Sequence, residues 1–458
     1  MAEPFTVLIM AAGRGTRMRS ELPKVLHRVC GKPMLEWVVD AGREAGADRI
    51  VCVVRPGDGV AEGLPDGVEL AEQTDGEGTG SAVLAAREQI ESANGPVVVL
   101  SGDHPLVSAK HLTGLLDAHR ADGAAVTILT TDRLDPSGYG RIVRNGGGQV
   151  ERIVETKHPE GVPEEELAIR EINLGTYAFA PDALVSALDT VGESDGERYL
   201  TGAIGVLSER GKGIVTHLTD DASGALGVND RADLMRAEAV AQERLLEAHA
   251  QAGVTFLQPE TTRVEAGVEI GVDTVIGPGV SLLGATAVGA GAEIGPHATV
   301  IDSRVADGAR VLHSYVVESE VGADATVGPF AYLRPGTVLG EGAKVGTFVE
   351  VKNSDVGAGA KIPHLSYIGD ADVGAGSNLG ASTITANYDG RRKHRTSIGE
   401  SVKTGIHTSL VAPVDVGDRA YTGAGSVITG DVPEAALGIA RAKQRNVEGY
   451  ADRVDPKD

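Results

Sequence analysis

Through the second half of the chain an aliphatic residue returns at every sixth position: Val264, Ile270, Ile276, Leu282, Val288, Ile294 and Val300. The beat resumes at Val321, Val327, Leu333, Leu339, Val345 and Val351, slips by one to Val356, Ile362 and Ile368, and returns at Leu410, Val416, Thr422 and Ile428. Neither an amphipathic helix nor a half-buried strand has that period. A small residue often follows the aliphatic one, as in Ile276-Gly277, Val327-Gly328 and Val345-Gly346. The pattern fits a parallel β-helix whose inward side chains stack coil on coil. Interruptions of the beat at 301–320 and 387–396 predict loops leaving the coil, where sites tend to sit.

The first half reads differently. β-rich runs at 5–10, 50–54, 97–100 and 126–130 alternate with helical stretches near 33–45, 81–90 and 108–120. Such alternation predicts a mainly parallel sheet covered by helices, with ligands bound beyond the carboxyl ends of its strands. Asn229-Asp230 can cap a helix in which Leu234, Ala237, Ala241, Leu245 and Ala248 recur at helical spacing, ending near Gly253. The chain thus divides into residues 1–228, a linker helix at 229–253, a solenoid at 254–440 and a polar tail at 441–458.

Composition narrows the classes. With 41% hydrophobic and 23% charged residues the chain can bury real cores and does not read as disordered. Its 62 glycines follow no Gly-X-Y period, which excludes collagen. A formal charge of -23 would repel nucleic acid and anionic membranes, so neither is an expected partner and basic residues must act locally. Cys30 and Cys52 have no metal-ligand or disulfide spacing and read as buried hydrophobes in a reducing compartment. Glu3 sits where a signal peptide needs positive charge, and the apolar run 5–10 is too short for a bilayer, so the reading is cytoplasmic.

Two constellations carry chemistry. The first strand runs into Ala11-Ala12-Gly13-Arg14-Gly15-Thr16-Arg17-Met18, and glycine-rich backbone after a strand presents N–H groups to phosphate. It is neither a Walker loop nor a dinucleotide fingerprint. Arg14, Arg17, Arg19 and Lys24 place four cations within eleven residues, as a triphosphate requires, although a turn with a solvated basic face fits the same residues. The strand at 97–100 ends in Ser101-Gly102-Asp103, setting a carboxylate where one or two oxygens can hold hydrated Mg²⁺; an Asp there can also simply cap the next helix. In the solenoid, His364 stands two places after an inward aliphatic, where filler would be small, and imidazole can serve as a general base. A surface histidine is equally common. Tyr367, Asn378, Asn387 and Tyr388 add polar groups that repeat packing does not need, and Arg334 and Lys352 suit an anionic sugar phosphate.

The segments MAAGRGTRM, LPKVLH, SGDHPL, GYGRIV, IVETK, EINLGTYAF and GVNDR, followed by LRPG, VEVKNS, HLSYIGD and TANYDG, resemble one family over roughly residues 5–445. This is the bacterial bifunctional N-acetylglucosamine-1-phosphate uridylyltransferase and glucosamine-1-phosphate acetyltransferase family. The resemblance implies an α/β nucleotidyltransferase domain with a Rossmann-like mixed sheet, followed by a left-handed parallel β-helix of hexapeptide repeats. It implies acetyl transfer from acetyl-CoA to glucosamine 1-phosphate, then Mg²⁺-dependent uridylyl transfer from UTP to N-acetylglucosamine 1-phosphate with release of pyrophosphate. Met10, Ala11, Ala12, Gly13, Arg17, Lys24, Ser101 and Gly102 would surround the nucleotide, with Gly78 and Thr79 near uracil and Asp103 and Asn229 on Mg²⁺. Gly140, Glu155 and Asn173 would hold the sugar. In the solenoid, His364 would be the base, Arg334, Lys352, Tyr367, Asn378 and Asn387 would bind glucosamine 1-phosphate, and Ala381, Ile406, Ala424 and Arg441 would meet acetyl-CoA, with Tyr388 in the same site. Family members close that site by trimerisation, so a homotrimer is expected.

The chain departs from the family pattern in places. Between Ala71-Glu72-Gln73 and Gly78-Thr79-Gly80 it carries Thr74-Asp75-Gly76-Glu77 where the family has one apolar residue, and Ser81 replaces a histidine. Leu70 and Gly202 stand where polar residues are usual, and Ile406 where serine is. The alternative these departures raise is a sugar-phosphate nucleotidyltransferase of different nucleotide or sugar preference with an altered acyltransferase domain. The basic run 391–395 suits either CoA phosphates or a solvated loop.

Overall fold

A computed structural model describes residues 3–156, 160–193 and 196–455; Lys157, in the IVETK segment, lies outside them. The chain forms two compact units, Met1–Glu243 and Arg244–Asp458.

The first unit is built on β1 (Thr6–Met10), β2 (Arg49–Val54), β3 (Glu69–Glu72), β4 (Val97–Ser101), β5 (Val126–Thr131), β6 (Ile172–Phe179) and β7 (Ile214–Leu218). They lie in the order β7-β5-β6-β4-β1-β2-β3, and a hairpin of Arg141–Arg144 and Val150–Val154 joins β6. β6 runs antiparallel to both β4 and β5, so the sheet is mixed. Apart from the hairpin, the other strands are parallel, and β1 pairs with β2 and β4 in register. Both faces of β1 are covered: Val7 and Ile9 pack with Leu35, Val38 and Leu112 on one side, Leu8 with Ala82, Val83 and Leu184 on the other. That is why the strand reads as a continuous apolar run rather than an alternation. Met10, Ser101 and Val54 fall at the carboxyl ends of adjacent strands, where the loops are free to carry polar groups.

Helix α1 (Arg231–Gln251) is capped by Asp230, whose carboxylate accepts the N–H groups of Ala232 at 2.8 Å and Asp233 at 3.0 Å. Asn229, the other cap candidate, is turned to a different use. Ala237, Ala241 and Leu246 are the buried positions and Ala248 is exposed, so the apolar stripe drifts from the expected one.

The second unit is a left-handed parallel β-helix of three sheets, of seven, ten and nine strands. Val264, Leu282, Val300, Val316, Leu333, Val351 and Ile368 stack in one sheet and are all fully buried. The expected loop at 301–320 does not exist. Arg304–Val305, Arg310–Val311, Tyr315–Val317 and Ser319–Val321 are strands of the coil. Val305, Val311 and Val316 remain buried, but some steps between inward valines shrink from six residues to five, which hid the repeat. A corner can lose a residue as long as the next inward side chain still meets the stack. The second interruption does leave the coil, as a loop between Ile384–Ala386 and Thr396–Ile398 closed by a bridge of Tyr388 with Lys393. Tight stacking needs the small residue after the aliphatic one: a Cβ at Gly346 would lie 2.0 Å from the Pro363 carbonyl oxygen. Beyond Arg441 the described residues are exposed, with one short helix, Tyr450–Val454.

Candidate active sites

At the carboxyl ends of β1, β2 and β4 a cavity of about 480 Å³ is lined by Met10, Ala11, Ala12, Gly13, Arg17, Lys24, Gly78, Thr79, Ser101, Asp103 and Asn229. Of the residues expected around a nucleotide, Gly102 alone is not a lining residue. Its N–H donates to the Met10 carbonyl at 2.9 Å, and a Cβ there would crowd that carbonyl and Val25, so it brings two strand ends together. Lys24 forms an ion pair with Asp103, and Ser101 Oγ donates to the same carboxylate at 2.6 Å. Burial alone would raise the Asp103 carboxyl; the Lys24 ammonium, His104 and the two hydrogen bonds outweigh it and hold it down to about 2. Arg17 Nη2 donates to Asn229 Oδ1 at 2.8 Å. Arg19, counted among the four cations, does not line the cavity, and Arg14 is engaged by Glu77 at 2.9 Å.

A second cavity of about 380 Å³ holds Gly140, Glu155 and Asn173 together with His104, Tyr139 and Asp233. Asn229 lines both cavities. Asn173 is fixed by donating to the Tyr177 hydroxyl at 2.7 Å and accepting the Gly175 N–H at 3.0 Å. Burial pushes the Tyr177 phenol up from its usual range, so it remains a neutral hydrogen-bonding group.

In the β-helix, His364 is exposed at the end of the strand Lys361–His364, in register with Thr347 on the preceding coil. Glu350 pairs with Tyr367 in the adjacent sheet, and Arg334 donates to the Glu350 carboxylate at 2.8 Å. Asp370 is the hub of a buried polar cluster. Its carboxylate accepts from Asn353 Nδ2 at 2.6 Å and from Asn387 Nδ2, and the same Asn387 amide lies 3.5 Å from the Tyr367 hydroxyl. Burial would raise the Asp370 carboxyl, but those two amides, with Lys352 and Lys393, hold it below its usual range. A Cβ on Gly369 would meet the Tyr367 hydroxyl at 2.5 Å and Asn387 Nδ2 at 2.8 Å, so this glycine leaves room for both groups. The like charge of Lys352 keeps the Lys393 ammonium below its usual range. Two neighbouring like charges suit an anion. Asn378, Tyr388, Ile406, Ala424 and Arg441 are exposed and Ala381 half-exposed.

Residues 7–204 match the model of the MobA-like NTP transferase domain. The proteins named bifunctional protein GlmU of Streptomyces avermitilis and Mycolicibacterium gilvum are each 46% identical to this chain. The first alignment covers 99% of this chain and 95% of that one, the second 98% and 92%. The chain belongs to the GlmU family. The GlmU protein of a Geobacillus species is 45% identical over 98% of both chains. A solved UDP-glucose pyrophosphorylase in complex with UDP-glucose is 17% identical, with a TM-score of 0.44, and covers 53% of this chain and 99% of its own.

This GlmU-family chain carries site residues that the sequence reading passed over. Arg55 and Glu77 line the larger cavity, and Arg55 directly follows β2, so the rule that ligands sit beyond strand ends could have found it. Asp370 closes the HLSYIGD segment but gives no sign in sequence that two asparagines converge on it. Within the run 391–395 the structure separates two roles. Arg395 ties the loop to the coil through Asp372 and Asp355, while Lys393 feels the charge of Lys352.

Proposed function

We propose that the chain makes UDP-N-acetylglucosamine in two steps, acetylating glucosamine 1-phosphate from acetyl-CoA and then joining the product to the uridylyl group of UTP. Family membership over nearly the whole chain favours this over a nucleotidyltransferase with an idle solenoid. The observation that carries the first-unit chemistry is Asn229, a shared wall of the two cavities, which sets a nucleotide in one beside a sugar phosphate in the other. Gly13 and the backbone around it face the phosphates, Gly78 and Thr79 the base, and Gly140, Glu155 and Asn173 the sugar. The sugar-phosphate oxygen attacks the α-phosphorus in line and pyrophosphate leaves, so positioning and charge neutralisation by Lys24 and Arg17 supply most of the acceleration.

Asp103 and Asn229 offer two hard oxygens on one cavity, and cationic side chains already stand at both, Lys24 at the first and Arg17 at the second. They suit Mg²⁺, which needs only one or two protein oxygens when phosphates and water complete its shell. When bound, Mg²⁺ supplies charge neutralisation between the phosphates.

In the β-helix, His364 takes the proton from the sugar amine as it attacks the thioester carbonyl; the C–S bond then breaks and coenzyme A leaves as the thiol. Arg334, Lys352 and Lys393 hold the sugar phosphate, and Tyr367, Asn378 and Asn387 its hydroxyls. Acetyl-CoA runs over Ala381, Tyr388, Ile406, Ala424 and Arg441. These positions are open on a single chain. Beside them, the corner residues Phe330, Phe348 and Leu365 expose a stacked apolar ladder, with ring centroids of the two phenylalanines 5.5 Å apart. Such a patch supports coverage by further copies in a homotrimer. No helix among the described residues is long and apolar enough to cross a membrane, and the proposed setting is the cytoplasm. Purified protein given glucosamine 1-phosphate, acetyl-CoA and UTP should yield UDP-N-acetylglucosamine and pyrophosphate, read by mass spectrometry. Omitting acetyl-CoA should stop the product from that sugar but not from N-acetylglucosamine 1-phosphate. Product formation from glucosamine 1-phosphate without acetyl-CoA would contradict the sequence of steps.

A further inference from the structure

The segment that departs from the family pattern places a carboxylate in the nucleotide cavity. Glu77 Oε1 accepts from Arg14 Nη2 at 2.9 Å, and Glu77 Oε2 accepts from Arg55 Nη2 at 2.5 Å. Arg14 belongs to the glycine-rich loop after β1. Arg55 is braced against that same loop by donating from Nε to the Ala12 carbonyl at 2.8 Å. The backbone under Glu77 is fixed as well. Its carbonyl accepts from Ser81 Oγ at 2.9 Å and from the Arg198 N–H at 3.0 Å, and Gln73 Nε2 donates to the Gly76 carbonyl at 3.0 Å. Gly76 takes a φ of 73°, and a Cβ there would meet Ser81 Oγ at 2.8 Å, so the inserted turn is docked in one shape. All three charged side chains line the cavity that also holds Lys24 and Asp103.

We propose that Glu77 is a built-in competitor for the polyphosphate of the nucleotide: it holds Arg14 until phosphate displaces it, and so sets the affinity of this site for highly charged nucleotides. The inference rests on the reading of this cavity as a nucleotide site. Arg14 is 69% exposed and Glu77 45%, so their pair is weak and exchangeable, whereas Arg55 is 23% exposed and braced. A nucleotide phosphate approaching the loop gains Arg14 only by breaking that pair, and it meets the Glu77 charge as it does so. The penalty grows with phosphate charge and is absent for an uncharged nucleoside. Departing pyrophosphate meets the opposite situation, since Glu77 recaptures Arg14 as it leaves. Glu77 therefore weakens ground-state hold on substrate and leaving group together.

The test is calorimetric binding of UTP, inorganic pyrophosphate and uridine to wild type, Glu77→Gln and Glu77→Asp, alongside uridylyl transfer by wild type. Glu77→Gln should bind UTP and pyrophosphate about threefold or more tightly, as expected for freeing an exposed pair and removing a like charge. Uridine affinity should not change, and the gain should shrink with added salt. Glu77→Asp, which withdraws the carboxylate by one methylene, should shift both in the same direction by less. In an Arg14→Ala background the gain from Glu77→Gln should fall. Unchanged or weaker UTP and pyrophosphate binding in Glu77→Gln overturns the inference, and so does an equal gain for uridine, which would mark a reshaped base pocket. Wild type that binds UTP but makes no UDP-sugar overturns the functional reading alone, the binding ratios still deciding the role of Glu77. Wild type that binds neither UTP nor pyrophosphate overturns both.

Discussion

Asp103 illustrates how one residue ties architecture to chemistry. It ends the turn after β4, and Lys24 and Ser101 hold its carboxylate ionised. Asp103→Asn keeps the shape but removes the charge, and should lower the uridylyl-transfer kcat by about 100-fold or more, the size expected for losing a main electrostatic group. A steady-state assay with saturating UTP checks it. In the β-helix the comparable residue is Gly369, since the atoms a methyl group would meet are the Tyr367 hydroxyl and the Asn387 amide. Those are side-chain ends that can move, so Gly369→Ala should leave the thermal midpoint within a few degrees of wild type. It should nevertheless cost acetyl transfer about tenfold or more, because misplaced groups are expensive in catalysis. A midpoint far below wild type would instead mark Gly369 as a structural residue. Little of this was legible in sequence. Asp103 was readable because it lies two residues beyond the end of an apolar strand. The Arg14–Glu77 pair joins residues 63 positions apart, and the convergence of Asn353 and Asn387 on Asp370 spans 17 on either side, so neither could be seen before the chain was folded.

At the scale of the elements, the inward stack and the small residues beside it decide whether coils can sit one on the next. Gly346 faces backbone, the Pro363 carbonyl, rather than a movable side chain. Gly346→Ala should therefore destabilise the β-helix by about 1–3 kcal/mol, the usual cost of overpacking. Chemical denaturation followed by circular dichroism measures it, and a change below about 0.5 kcal/mol would show that the coils can separate there at little cost. The beat itself was legible because an inward position tolerates little but an aliphatic or small side chain. The coils at 301–320 were not, because a five-residue step keeps Val305, Val311 and Val316 inside while breaking the six-residue count. In the first unit the positions of β1, β2, β4 and β5 followed from their apolar runs, whereas β3, with the mostly exposed sequence Glu-Leu-Ala-Glu, and β7 did not stand out. The antiparallel placement of β6 did not, since a strand buried on both faces reads alike in either direction.

At the scale of the whole molecule, two chemistries share one chain, each with its own requirements. Chelation of divalent cations with EDTA should abolish uridylyl transfer and leave acetyl transfer intact, because only the Asp103 and Asn229 site is proposed to use Mg²⁺; equal loss of both would contradict that division. The sequence carried this two-part organisation plainly, through a change of period from alternating strands and helices to the hexad near residue 254. The most direct measurement is the crossed pair of variants, Asp103→Asn and His364→Ala, each assayed for both half-reactions. His364→Ala should lower acetyl transfer by about 100-fold or more while sparing uridylyl transfer, as loss of a general base requires. Asp103→Asn should do the reverse. If either folded variant lost both activities, or His364→Ala retained full acetyl transfer, two independent sites would be the wrong description of this protein.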